Sequence, residues 1–172
     1  MEMPQGRIGH SIDLNLAFRK EQIGHPMDGM GFVIPTSAKK ALIAASFSHR
    51  KFAARAPEGF ALLRIFLGGS AHETILELDD TALIRTVRDD LRSILVIEGD
   101  PVFAGVCRWP KSMAQYTLGH LDRVADIERE VAALPGLHLL GNAFRGIGIP
   151  DMIAAANRGT QYLFPGSDRL TV

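Results

Sequence analysis

The chain has 172 residues, 47% of them hydrophobic, which suffices for one domain with a real core or for a domain with an excursion. Lys and Arg number 19 and Asp and Glu 19, so the net charge is zero and a nucleic-acid binder working through a broad cationic face is disfavoured. A single cysteine, Cys107, excludes an internal disulfide and a cysteine-based zinc cluster and suits a reducing, cytoplasmic setting. No apolar run follows Met1 to Arg7 and no apolar stretch has bilayer-spanning length, so a soluble chain is expected, with a peripheral membrane contact left open.

Residues 11–18 alternate, with Ile12, Leu14, Leu16 and Phe18 on one face, and predict a half-buried strand. His25-Pro26-Met27-Asp28-Gly29 carries turn chemistry, residues 30–34 follow as a short strand ended by Pro35, and the two strands are expected to form a hairpin. After a turn at residues 36–40, residues 41–47 and 60–67 read as strands separated by the basic, proline-containing segment 49–57. Those strands make a mixed or antiparallel sheet. Asp79 or Asp80 caps a helix carrying Leu83, Val87, Leu91, Ile94 and Leu95 on one side and charges on the other. Residues 101–109 read as another strand. A second amphipathic helix over residues 119–134 spaces Leu121, Val124, Ile127, Val131 and Leu134 for burial before Pro135-Gly136 stops it. Residues 68–73 are the loosest stretch, and the tail after Gly159 reads as irregular.

Constellations that usually carry chemistry are absent. His10, His25, His49, His72, His120 and His138 are scattered without helical ligand spacing, so no metal site is assigned. Asp79-Asp80 and Asp89-Asp90 fall on the cap and wet side of one helix and read as solvated. Cys107, in an apolar strand with no base nearby, reads as a buried, inert thiol. No nucleophile elbow, phosphate loop or triad is present, and no catalytic residue is assigned. Three features keep two readings each. Trp109, in Arg108-Trp109-Pro110, either plugs an edge or packs on a planar ring system. Residues 115–120, Gln-Tyr-Thr-Leu-Gly-His, either line a cavity or cap the helix that follows. Arg50, Lys51 and Arg55 around Phe52 either engage carboxylates of an amphiphilic ligand or form a solvated loop.

Residues 141–151 are the most informative stretch. Leu137, Leu139 and Leu140 read as a buried strand ending in a loop with Gly141, Gly146 and Gly148, and Pro150 sits where a first helical turn accepts it. The free N–H groups of that turn and the positive end of the helix dipole suit an anionic edge over Gly146 and Gly148. A reduced flavin, a phosphate or a purely structural turn all satisfy the pattern.

Taken in order, several segments resemble one family. They are residues 28–35 (Asp-Gly-Met-Gly-Phe-Val-Ile-Pro), Phe47-Ser48, Lys51-Phe52 before Arg55-Ala56-Pro57, and residues 62–69. Arg108-Trp109, residues 115–120, Pro135-Gly136-Leu137 and residues 141–151 follow. This order is similar to the middle and late part of the protoporphyrinogen oxidases, FAD-dependent enzymes of haem synthesis in the flavin amine oxidase superfamily. The likeness runs from about residue 11 to 159. Ala114 stands where that family usually has proline, and the glycine-rich FAD unit that opens its members is absent.

The resemblance implies an α+β (α/β) fold: a mixed or antiparallel sheet with packed helices, plus the C-terminal strand-loop-helix of an FAD/NAD(P)-binding Rossmann-like domain. It implies a substrate-domain portion over residues 1–105 and a segment over 106–172 that completes the FAD domain. It also implies flavin contacts at Ile147, Gly148 and Ile149, with Arg108 and Trp109 near the ring, and places Val33 and Phe52 at the tetrapyrrole cavity. The implied activity is oxidation of protoporphyrinogen IX or coproporphyrinogen III by hydride transfer to flavin, in a chain inactive alone. Two alternatives remain. One is a non-catalytic fragment or subunit completing a partner chain that carries the FAD half. The other is a different flavin amine oxidase or desaturase, which shares the late glycine loop but is not expected to share residues 115–120.

Overall fold

The computed structural model describes residues 8–68 and 73–164, which fall into two compact units, 9–113 and 114–164. The predicted loop at 68–73 lies almost wholly outside the described residues, as does the chain after Phe164.

The first unit is built on a five-stranded sheet of order β2-β3-β4-β1-β5, with β1 at Ile8–Arg19, β2 at Gly31–Val33, β3 at Ala44–Phe47, β4 at Phe60–Gly68 and β5 at Phe103–Ala114. The alternation in β1 and β4 fixes their antiparallel register. Ile12 faces Leu67, Leu14 faces Ile65, Leu16 faces Leu63 and Phe18 faces Ala61, and all eight are buried. A slip of one residue would turn every one of them to the other face. On that other face Asp13 pairs with the Arg64 guanidinium.

The expected hairpin between the first two strands does not form. β2 pairs with β3, while β1 lies between β4 and β5. The link after β1 instead zips onto a later segment: Gly24 N–H donates to Val96 O and Glu98 N–H to Gln22 O, and Ile23 bridges Ile97.

Helix α1 (Ser48–Lys51) is one turn between β3 and β4. Helix α2 (Asp80–Leu95) is the predicted amphipathic helix; Asp79 caps it, its carboxylate accepting from Ala82 N–H at 2.8 Å. Leu83, Val87, Leu91 and Leu95 are buried in one cluster with the inward residues of β1 and β4. Each such side chain contributes about 1.5–3 kcal/mol on leaving water. The reading of the α2 aspartates as solvated holds only in part. Asp90 accepts from Ala41 N–H at 2.7 Å and pairs with Lys40, and Asp80 binds Arg108.

Cys107 is exposed rather than buried. It stands on β5, a strand at the sheet edge, where apolar neighbours in sequence do not guarantee a covering layer.

In the second unit, α3 (His120–Ala132) and α4 (Ile149–Leu163) are joined by an extended segment and the glycine loop. The burial expected along α3 is found at Val124 alone; Leu121 and Leu134 are exposed. The stretch expected as a buried strand, Leu137 to Leu140, has no strand partner among the described residues, and Leu137, Leu139 and Leu140 are 40–48% exposed. A strand needs a neighbour for its backbone groups, and none is supplied within the unit. Nor is the chain irregular from Gly159: α4 continues through it to Leu163. A Cβ at Gly159 would fall 2.5 Å from His138 Cδ2, so this glycine allows the extended segment to lie against the helix.

Candidate functional site

The glycine loop between the extended segment and α4 is held by side chains from α3 and the residues just before it. The Tyr116 ring stacks on the His120 imidazole, with centroids 3.9 Å apart and planes 10° from parallel. The Tyr116 hydroxyl donates to Asn142 O at 2.7 Å and accepts from Gly146 N–H at 2.9 Å. His120 Nε2 donates to Phe144 O at 2.7 Å. Two turns further along α3, the Glu128 carboxylate accepts from Arg145 Nε at 2.7 Å and Nη2 at 2.6 Å. Those hydrogen bonds hold the Glu128 carboxyl below the ordinary carboxylate range and push the Arg145 guanidinium up. By contrast, the loop's own backbone supplies one turn, Phe144 N–H to Gly141 O at 3.3 Å.

Gly146 has φ +107°, and a Cβ there would lie 2.6 Å from Asp151 Cβ, so the position requires glycine. The Asp151 carboxylate accepts from Gly148 N–H at 3.3 Å, a long contact. Among the described residues, the N–H groups of Ile147, Ile149 and Asp151 have no acceptor. The Ile147 and Ile149 side chains are 61% and 76% exposed, leaving the mouth of α4 open. The opening of α4 therefore combines orphan donors, the positive end of a helix dipole and an apolar rim. Behind the loop lies a groove of 330 Å³ lined mainly by apolar side chains, among them Ile127, Val131, Leu139, Phe144, Met152 and Tyr162.

The remaining expected site residues lie on the sheet unit. Arg108 is fully engaged: it donates to the Asp80 carboxylate, to Leu78 O at 2.8 Å and to Leu76 O at 3.1 Å, tying β5 to the entry of α2. Trp109 is half-exposed on the same strand, and Val33 on β2 is exposed. Phe52 is half-exposed just after α1, with the Lys51 ammonium 5.6 Å and the Arg55 guanidinium 5.5 Å from its ring centroid. Among the described residues, neither cation has a carboxylate partner, no cluster of His, Cys, Asp and Glu could hold a metal, and no helix is long and apolar enough to cross a membrane.

Sequence reasoning located the glycine loop and left residues 115–120 open between lining a cavity and capping α3. In the structure, Tyr116 and His120 bind the loop backbone instead. Glu128 went unnoticed. The available signal was its spacing of eight residues from His120, which places both about 12 Å apart on neighbouring parts of one helix face, alongside buried Val124.

A family model described as flavin-containing amine oxidoreductase matches residues 7–163. The chain is 36% identical over 154 residues to the coproporphyrinogen III oxidase of Bacillus subtilis, covering 87% of this chain and 33% of that protein. It is 31% identical over 137 residues to a mitochondrial protoporphyrinogen oxidase of Nicotiana tabacum, covering 77% of this chain and 27% of that one. The crystal structure of a protein from Exiguobacterium sp. 255-15, assigned as a protoporphyrinogen oxidase, superposes with a TM-score of 0.77 at 29% identity, covering 88% of this chain and 34% of that one. The chain thus spans about a third or less of the length of these proteins. Together, the family match across the sheet, α3, the glycine loop and α4 and the agreement in fold establish that this chain belongs to the flavin-containing amine oxidoreductase family.

Proposed function

We propose that the chain is the C-terminal portion of an FAD-dependent porphyrinogen oxidase. It would convert protoporphyrinogen IX or coproporphyrinogen III to the porphyrin when joined to a segment that carries the FAD pyrophosphate site. The observation that carries this reading is the set of orphan amides at the mouth of α4, in a chain whose relatives are named for porphyrinogen oxidation. The flavin fits there in chemical terms. Ile147 and Ile149 offer N–H donors, and the helix end favours an acceptor-rich, negatively charged ring edge. Against this, the Asp151 carboxylate already takes Gly148 N–H, so the self-capped part of the turn is unavailable to a ligand.

FAD, when bound, supplies the hydride acceptor. This chain's share is positioning. Ile147, Gly148 and Ile149 contribute backbone and apolar surface at the ring, and on the sheet unit the half-exposed Trp109 offers a flat face to a planar ring system. Arg108 acts by fixing its strand, since its guanidinium is spent on Asp80 and two carbonyls. Val33 and Phe52 would meet the tetrapyrrole, with Lys51 and Arg55 available to its carboxylates. No side chain is assigned as a general base.

A second reading, a subunit or fragment completing a partner that carries the FAD half, is favoured by the uncovered Leu137 to Leu140 segment and the apolar groove beside it. Both readings require dinucleotide contacts from elsewhere, because the chain lacks a G-x-G-x-x-G fingerprint. Titration of the purified chain with FAD tests this. Weak, non-saturating binding is expected, and a yellow stoichiometric complex that survives removal of free FAD would contradict it.

A further inference from the structure

Resting on the flavin reading of the glycine loop, we propose that Tyr116 and His120 are positioning residues that set the direction of the Ile147 N–H toward the flavin. Glycine leaves its own dihedrals undetermined by sterics, so the orientation of the peptide between Gly146 and Ile147 must be imposed from outside. The Tyr116 hydroxyl holds the peptide on its N-terminal side, the one between Arg145 and Gly146. It fixes Gly146 N–H on one side and Asn142 O on the other, closing both ends of the loop on one oxygen.

His120 pins the middle through Phe144 O and keeps the tyrosine ring in place by stacking. On the far side, Asp151 holds Gly148 N–H. The free Ile147 amide therefore sits between two amides that side chains hold, which narrows the directions it can take. Arg145 and Glu128 restrain the loop by charge but touch neither amide, so they cannot substitute for the hydroxyl.

The test uses the full chain, isotope-labelled, with amide resonances read by NMR. Tyr116→Phe keeps the ring stack and removes only the hydroxyl. Exchange of the Gly146 amide is expected to quicken about fivefold, the loss of one hydrogen bond, while helix content is unchanged. Millimolar reduced FAD is expected to shift the Ile147 and Ile149 amides of the wild-type chain, and about fivefold more FAD is needed in Tyr116→Phe. His120→Gln, which keeps a donor for Phe144 O but loses the ring stack, should fall between wild type and Tyr116→Phe, and His120→Leu, which loses both, should resemble Tyr116→Phe.

Unchanged Gly146 exchange in Tyr116→Phe would overturn the anchoring, whatever flavin does. Equal flavin shifts in wild type and Tyr116→Phe would overturn the positioning role and leave the flavin reading standing. No shift at Ile147 and Ile149 in the wild-type chain would overturn both.

Discussion

Replacing Gly146 by alanine gives the sharpest test of the loop geometry, because the cost follows from two separate features of the position. A left-handed backbone costs an L-residue about 1–2 kcal/mol, and φ +107° lies beyond the comfortable part of that region. The new Cβ would also stand 2.6 Å from both Asp151 Cβ and Asp151 Oδ2. Asp151 must then move and release Gly148 N–H, a capping interaction worth about 0.5–2 kcal/mol. The expected loss is about 2–3 kcal/mol, a fall in melting temperature on the order of 10 °C for a unit of this size. Gly141→Ala is the matched control: its φ lies outside the left-handed region and its Cβ would meet Phe144 Cε2 at 3.5 Å, ordinary contact. That substitution should change stability by no more than about 0.5–1 kcal/mol, in the stabilising direction if anything. Thermal unfolding followed by circular dichroism at 222 nm reads both. Equal effects of the two substitutions would refute the assigned conformation of residues 141–151.

Two further outcomes are expected. The lowered carboxyl of Glu128 contributes stability that is complete above its unfolded value near pH 4.3 and is lost as pH falls through its lower folded value. The Arg145 Nε–H chemical shift should therefore keep its paired value down to about pH 4.3 and move only as pH falls further; in Glu128→Gln it should stay at an unpaired value at every pH, and an identical profile would dismiss the pair. Both side chains are nearly half-exposed, so global stability should move little. In the sheet unit, Leu14→Ala should cost about 2–5 kcal/mol in denaturant unfolding, since Leu14 is fully buried opposite Ile65. Leu118→Ala, at a side chain 99% exposed, should cost under about 0.5 kcal/mol. Comparable losses would mean the core is misplaced.

Much of the sheet was legible because period-two alternation is a local signal. Ile12, Leu14, Leu16 and Phe18 declared their face, whereas residues 60–67 were legible as a strand without a stated face. Which strands pair is not local. Adjacency in sequence suggested a hairpin between β1 and β2, whereas the long β1 finds its apolar match in β4 after an intervening excursion. Cys107 and residues 137–140 failed for a related reason: an apolar run states that a surface wants covering and does not say whether anything covers it. Gly159 read as an end to α4, while its real use is the close approach of His138. Within the candidate site, Gly146, Gly148 and Pro150 were visible through turn and cap chemistry. The anchoring by Tyr116, His120 and Glu128 was not, because it depends on α3 lying beside a loop more than twenty residues away for His120 and Tyr116 and 17 away for Glu128.

The account depends on a flavin half-site in this chain that another polypeptide segment completes. The most direct measurement mixes the purified chain with FAD and the part of the Bacillus subtilis coproporphyrinogen III oxidase that it does not cover, then follows 450 nm absorbance across gel filtration. Joint elution with bound flavin, and porphyrin fluorescence appearing from coproporphyrinogen in the mixture alone, is the predicted result. Stoichiometric flavin on this chain by itself, or two separate colourless peaks, would contradict it.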